Sequence, residues 1–216
     1  MAAEVGKVAS VAAASVGKFL GVAVASIGKI IGVTMPAGGG EPEEFSADIA
    51  AAADAWMLKD SGGGSYSFWA SLTNNAYTNY QYSWGFLIKN VTIEQGSTID
   101  SCTVTLTAAG NSSTTWGFPV SFNNTDDAVD PANAAAVVAL AKTGSVTWSG
   151  ASSWTTNTVK TSPELKTIFQ TVIDRPGWAS GNDIMVIIGI SSGSDKAYHN
   201  AYVASKMAHI DITYTA

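Results

Sequence analysis

Two histidines, one cysteine and 17 acidic residues are what this 216-residue chain offers for catalysis or metal binding. His199 lies in "DKAYHNAY" and His209 heads "HIDITYT", and neither has a second histidine or a cysteine at zinc-ligand spacing. Serines are plentiful, yet no G-x-S-x-G elbow sharpens one into a nucleophile. Carboxylate pairs for glycoside hydrolysis would have to come from isolated residues such as Glu94, Asp100 and Asp183, with no neighbouring pattern that would raise a pKa. The glycines of "SGGGS" (61–65) lack the lysine and helix of a phosphate loop. "NNTDDAVD" (123–130) gathers Asp126, Asp127 and Asp130, oxygen ligands of the kind calcium accepts. Without the alternation and glycine of an EF-hand loop, they read as a solvated loop. The sequence therefore predicts no catalytic residue, no metal site and no cofactor.

Binding is better represented. In "GGGSYSFWASLTNNAYTNYQYSWGFLI", Phe68, Trp69, Tyr77, Tyr80, Tyr82, Trp84 and Phe86 punctuate polar residues. Tyr77, Tyr80, Tyr82 and Trp84 lie among asparagine and glutamine, as a stacking platform for sugars requires, and form the candidate glycan-binding set. The competing expectation is that alternate members fill a core while the others cover a subunit contact, since assembly interfaces are also rich in aromatics. Net charge is −6, unevenly spread: residues 1–36 carry Lys7, Lys18 and Lys29 against Glu4, and the remainder carries 8 basic and 16 acidic residues. An acidic main domain argues against nucleic-acid binding, which needs clustered lysine and arginine. The single cysteine, Cys102, excludes an intrachain disulfide and sits in "SCTVTLTA" as a small buried thiol.

The elements that must position these residues fall into two parts. From Val5 to Pro36 the chain repeats itself every 11 residues: VGKVASVAAAS, VGKFLGVAVAS, IGKIIGVTMP. Lysine interrupts every apolar window long enough to span a bilayer, and a mid-bilayer lysine costs about 3 kcal/mol. Glu4 precedes the first apolar run, unlike the basic start of a signal peptide. Neither a membrane nor a leader is therefore expected. Glycines and β-branched residues disfavour a helix, so short extended pieces with glycine turns are predicted. Such units bury little alone and need stacking or partner chains. The repeat (1–36) is read as an attachment arm, with Val5, Val8, Val16, Phe19, Leu20, Ile27, Ile30 and Ile31 as its docking residues. "AGGG" and "EPEE" form a linker (37–44).

The main domain (45–216) reads as mainly β. "YQYSWGFLI", "STIDSCTVTLTAAG", "WGFPVSFNN", "SVTWSG" and "HIDITYT" are strands between turn signals, and the continuous apolar run "DIMVIIGIS" suits a central strand. A helix is predicted over 162–178, with Ser162 as N-cap, Pro163 at its first position and Leu165, Ile168, Phe169 and Val172 as its apolar stripe. A short helix around Ala47–Trp56 is a further, ambiguous expectation. The sum is a jelly-roll-like antiparallel β-sandwich with one crossing α-helix, preceded by an extended repetitive arm.

"VTIEQGSTIDSCTVTLTA", "PANAAAV", "GSVTWSGASSW", "TSPELKTIFQTVIDRPGWASGNDIMVII" and "SKMAHIDITYT" together resemble a β-sandwich module common in bacteriophage virion proteins and large bacterial surface proteins, related to carbohydrate-binding-like jelly rolls. The resemblance covers roughly residues 80–216, and it departs at Met207-Ala208, where the family often has a proline. The lysine- and glycine-punctuated repeat is similar to repeats of phage structural proteins. Trp148, Trp154 and Trp178 fall at positions the family shares, which implies packing roles. The resemblance implies a non-enzymatic structural protein located in the virion: a capsid decoration protein, head fibre or tail-associated protein. Its partners would be other virion structural proteins, most simply as a homo-oligomer, with a host-surface glycan as a further ligand. The alternative expectation is a cell-surface glycan-binding module or adhesin.

Overall fold

A strand that packs on one face alternates apolar and polar residues, and one covered on both faces is apolar throughout. Both patterns occur here, and they sort the strands into layers. The computed structural model describes residues 18–19, 22–23, 40–73, 75–78, 81–111, 116–150, 154–190 and 197–216. The chain divides into two compact units, Met1–Glu41 and Pro42–Ala216. In the first, β1 (Lys18–Phe19) pairs antiparallel with β2 (Val22–Ala23), Lys18 opposite Ala23 and Phe19 opposite Val22.

The second unit runs β3 (Glu43–Asp48), a 3-10 turn (Ala52–Asp54), β4 (Ala55–Asp60), β5 (Tyr66–Ala70), β6 (Asn75–Thr78), β7 (Tyr82–Val91), β8 (Thr98–Thr107), β9 (Trp116–Phe122), α1 (Ala134–Val138), β10 (Val146–Gly150), β11 (Val159–Thr161), α2 (Lys166–Ile173), β12 (Asn182–Ile188), β13 (Ala197–Asn200) and β14 (His209–Thr215). Six strands form one sheet in the order β10-β9-β12-β7-β4-β5, and four form another in the order β11-β8-β14-β3. β13 and β6 make a separate two-stranded ribbon. Neighbouring strands are antiparallel throughout, and the chain passes back and forth between the sheets as it goes from β7 to β9 and from β10 to β14. This is the mainly β, jelly-roll-like sandwich that the sequence pattern predicts.

The alternation in β8 turns Cys102, Val104 and Leu106 inward and leaves Ser101, Thr103 and Thr105 half-buried on the other face. With Ile210 and Ile212 of β14 they meet Trp84, Phe86 and Ile88 of β7, Phe118, Val120 and Phe122 of β9, and Ile184, Val186 and Ile188 of β12. Each such side chain contributes about 1.5–3 kcal/mol by leaving water. The opposite face of the larger sheet is covered as well. There Trp56, Leu58, Leu87, Met185 and Ile187 pack with Ala128 and with Val137 of α1. Burial on both faces is the reason "DIMVIIGIS" is apolar without alternation. On this second face Trp56 lies flat over Gly85, its register partner. A Cβ on Gly85 would sit 2.5 Å from the indole and 2.7 Å from the Val186 carbonyl, so only glycine fits.

Two helix expectations are corrected. The stretch around Ala47–Trp56 is β3, a 3-10 turn and the start of β4, because pairing with β14 and β7 outweighs the helix propensity of its alanines. Glu43 and Glu44, read as linker, likewise belong to β3, where the Tyr214 hydroxyl donates to Glu43 Oε2 at 2.9 Å. The later helix begins at Lys166 rather than beside Ser162. Ser162 and Glu164 instead continue the hydrogen-bonding edge of β8: Val104 N–H donates to Ser162 Oγ (3.0 Å) and Cys102 N–H to Glu164 Oε1 (2.7 Å). The apolar stripe is as expected, with Leu165, Ile168, Phe169 and Val172 all in the core. Among the described residues, no helix is long and apolar enough to cross a membrane.

Candidate functional site

The larger sheet has six strands and the smaller four, and at the edge of the larger sheet β5 leaves four of its five residues exposed. Strand alternation decides which side chains share a face there. Trp69 lies opposite Met57, which lies opposite Trp84, while Ser67 lies opposite Lys59, which lies opposite Tyr82. Trp84 and Met57 reach the sandwich core, so Trp69, Lys59 and Tyr82 share that face further out. The rings of Trp69 and Tyr82 lean toward each other across β4, with centroids 6.1 Å apart and planes within 24°. Lys59 Nζ stands 5.7 Å from the Tyr82 ring centroid, within cation–π range. Trp69 is 40% exposed. The result is an amphipathic platform: two near-parallel aromatic faces with one cation.

The four aromatic candidates separate in the structure. Tyr82 belongs to the platform. Trp84 is fully buried in the core, its ring stacked on His199 at 4.2 Å, and presents no face to a ligand. Tyr77 lies in β6 opposite Tyr198, but its side chain is outside the described residues, as is all of Tyr80. Trp69 is the platform residue that the spacing alone does not single out. In "YSFWA" adjacent Phe68 and Trp69 must face opposite sides of a strand, and only the tertiary structure decides that Phe68 packs with Trp56 and Leu58 while Trp69 stays open. Of the docking residues, Phe19 lies in β1, whereas Val5, Val8, Val16, Leu20, Ile27, Ile30 and Ile31 lie outside the described residues.

The polar residues weighed for chemistry are engaged with one another. The acidic loop is held by α2's exit and by β12: Arg175 Nε donates to Asp126 Oδ1 (2.6 Å), Arg175 Nη1 to Asn124 Oδ1 (2.8 Å), and Asp183 N–H to Asp127 Oδ1 (2.8 Å). Asp183 sits where the β12–β7 register shifts, and its Oδ1 accepts the N–H of Asn90, a residue in the left-handed region (φ 55°). That irregularity brings Lys89 within 2.5 Å of Asp54, whose carboxylate is buried. The hydrogen bond to Asp54 holds the Lys89 pKa above its ordinary value. Asp130 adjoins this pair; burial, then the charge of Asp54, pushes its pKa up to about 6.

On the outer face of the smaller sheet, β3 and β14 place Ser46, Asp48, His209 and Asp211 together. His209 Nδ1 lies 2.8 Å from Asp48 Oδ1, and Nε2 lies 3.0 Å from both Asp211 Oδ1 and Ser46 Oγ. These distances resemble a serine–histidine–aspartate relay, but the proton arrangement does not. Ser46 Oγ donates to Asp211 Oδ1 (2.9 Å), so it is not poised to give its proton to the imidazole. Partial burial lowers the His209 pKa, but hydrogen bonds to Asp211 and Asp48 outweigh it and raise the net value. An imidazolium between two carboxylates is a clasp joining β3 to β14. His199 is the opposite case: fully buried between Trp84 and Trp154, with no hydrogen-bond partner for either ring nitrogen, it is held neutral by burial at a pKa of about 3. It packs as an aromatic plate beneath the β6–β13 ribbon. Cys102 is buried, and burial pushes its thiol pKa well up, as fits a packing residue. Among the described residues, no group of three or more histidine, cysteine or acidic side chains is placed to hold a metal ion.

No family model matches the chain, and no curated protein matches it.

Proposed function

We propose that this chain is a non-enzymatic structural protein of a bacteriophage virion, attached through its N-terminal repeat and displaying the β-sandwich. The observation that carries this reading is the three-fold recurrence of the G-K-containing 11-residue unit, joined through a glycine-rich and acidic stretch to a separate compact unit. An apolar repeat gains burial only against a neighbour, and identical docking events on a many-copy particle reinforce one another through effective concentration. The internal pairing of Asp126, Asp54 and His209 supports a scaffold role for the polar residues of the sandwich. Deleting residues 1–36 tests the reading: the remaining chain is expected to stay folded and soluble but to be absent from purified particles. Incorporation of the truncated chain at the wild-type level would refute it.

A second reading is favoured by one specific observation, the exposed Trp69 stacked with the half-buried Tyr82, with Lys59 beside it. Flat aromatic faces with a polar rim suit the apolar faces of sugar rings, so the platform supports a glycan-binding module. Binding on a glycan array that disappears in Trp69→Ala and Tyr82→Ala, while Trp84→Phe binds normally, is the expected result. Array binding unchanged in the first two variants removes the platform from consideration.

A further inference from the structure

Residues 61 to 88 contain no charged side chain, the longest such run in the chain, followed by residues 101 to 125 and 143 to 159. This stretch includes β5, an edge strand of the six-stranded sheet. Edge strands of soluble proteins usually carry charge, proline or a bulge, because a row of unpaired N–H and C=O groups invites another strand. Both edges of the smaller sheet are defended in this way: β3 carries Glu43, Glu44 and Asp48, and β11 is three residues long and carries Lys160. At the far edge of the larger sheet β10 (VTWSG) is likewise uncharged, but the one large aromatic described in it, Trp148, is turned into the core. β5 reads YSFWA, with Tyr66 39% and Trp69 40% exposed on its two faces.

The backbone bonds fix which groups of β5 point outward. Asp60 N–H donates to Gln81 O on the β7 side (2.7 Å), and Ser61 N–H donates to Ser65 O (2.9 Å). Bonding direction alternates along an antiparallel strand, so Lys59 and Met57 face β5 and pair with Ser67 and Trp69. The N–H and C=O groups of Tyr66, Phe68 and Ala70 therefore point away from the sheet.

We propose that β5 pairs antiparallel with β5 of a second copy of this chain, about a twofold axis at Phe68. Phe68 then faces Phe68 of the other copy and Tyr66 faces Ala70, so every outward N–H of Tyr66, Phe68 and Ala70 meets a carbonyl. Charge selects a second copy as the occupant. Beyond residue 36 the chain holds 16 acidic residues against 8 basic, so two copies repel wherever their acidic surfaces meet. The uncharged edge lets like-charged copies approach, whereas a partner of opposite charge finds no acid on this strand to pair with. Trp69 on one face and Tyr66 on the other add apolar surface that the approaching strand covers. Five paired residues lie at the small end of specific interfaces, so the contact is weak in dilute solution and strengthens when copies are held close together. This goes beyond attachment through the repeat, and it stands or falls separately from it.

The test uses the full chain, with sedimentation equilibrium and residue-resolved amide exchange measured over a graded concentration series. Ala70→Pro removes only an outward N–H, a substitution an edge strand tolerates, and Tyr66→Lys places a charge at the seam. The wild type is expected to move toward dimer mass as exchange at Tyr66, Phe68 and Ala70 slows about tenfold. Both variants are expected to keep the wild-type thermal midpoint and to associate about tenfold more weakly. If Ala70→Pro does not fold, Tyr66→Lys carries the comparison alone. The proposal is overturned if the wild type stays monomeric, if the folded variants associate as the wild type does, or if mass rises while exchange at these three amides stays independent of concentration. The last outcome would assign association to another surface, such as the repeat.

Discussion

Replacing Lys89 by methionine keeps the bulk of the side chain but removes the only cation within 4 Å of Asp54 among the described residues. Asp54 is buried, so its carboxylate cannot recover the lost partner by turning to water. Breaking a buried ion pair by removing one member costs about 3–5 kcal/mol. Lys89 is itself about half exposed, so solvent softens the loss. The expected destabilisation of Lys89→Met is about 2–4 kcal/mol at pH 7. In a unit of this size the neutral-pH value corresponds to a fall in melting temperature of about 5–15 °C. Urea unfolding at pH 7 measures it, with the Asp54→Asn/Lys89→Met double variant as control. The double variant is expected to regain most of the loss, because no charge is then left buried. A Lys89→Met loss that the double variant does not restore would refute the electrostatic account and point to packing of the lysine stem instead.

Three further outcomes follow from the same structure. Asp130 has a folded pKa raised to about 6, so its contribution favours the fold below about pH 4 and is lost as the pH rises through 6. Asp130→Asn should therefore stabilise the protein by about 1 kcal/mol at pH 7.5, after allowance for its exposure, and leave it nearly unchanged at pH 4; paired denaturation curves check this. The raised pKa of His209 has the same sign: the clasp contributes fully below about pH 6.5 and fades as the pH rises through its folded value. His209→Gln should cost about 0.5–1 kcal/mol at pH 5.5 and little at pH 9, with faster amide exchange in β3 at the lower pH. Gly85→Ala forces a methyl against Trp56 and the Val186 carbonyl, and should lower stability by about 1–3 kcal/mol with a change in tryptophan fluorescence.

The difference between strands that were legible and those that were not has a physical origin. β8 and β14 are covered on one face, so "SCTVTL" and "HIDITYT" carry their period of two in the sequence, and "DIMVIIGIS" announces burial on both faces. The stripe of α2 was equally plain, but its start was not. Ser162 and Glu164 have the right chemistry for a helix N-terminus, and the neighbouring strand β8 claimed their oxygens instead. The alanines before Trp56 followed the register of β7 and β14, which no local propensity records.

By itself the sequence determined the fold class, the 11-residue repeat, the uneven distribution of charge, and the aromatic wealth of residues 66–86, because composition and periodicity are local properties. Only the tertiary structure decided which aromatics are open. Tyr82 and Trp84 are two residues apart on the same face of β7, yet the His199 ring of β13 covers Trp84, so one is half-exposed and the other fully buried. The same holds for charge. Nothing in the sequence links Asp54 to Lys89 or Asp48 to His209, since the pairings arise from register shifts and cross-strand neighbours far apart in the chain. Strand alternation is written residue by residue, whereas coverage of a face depends on which distant element packs over it.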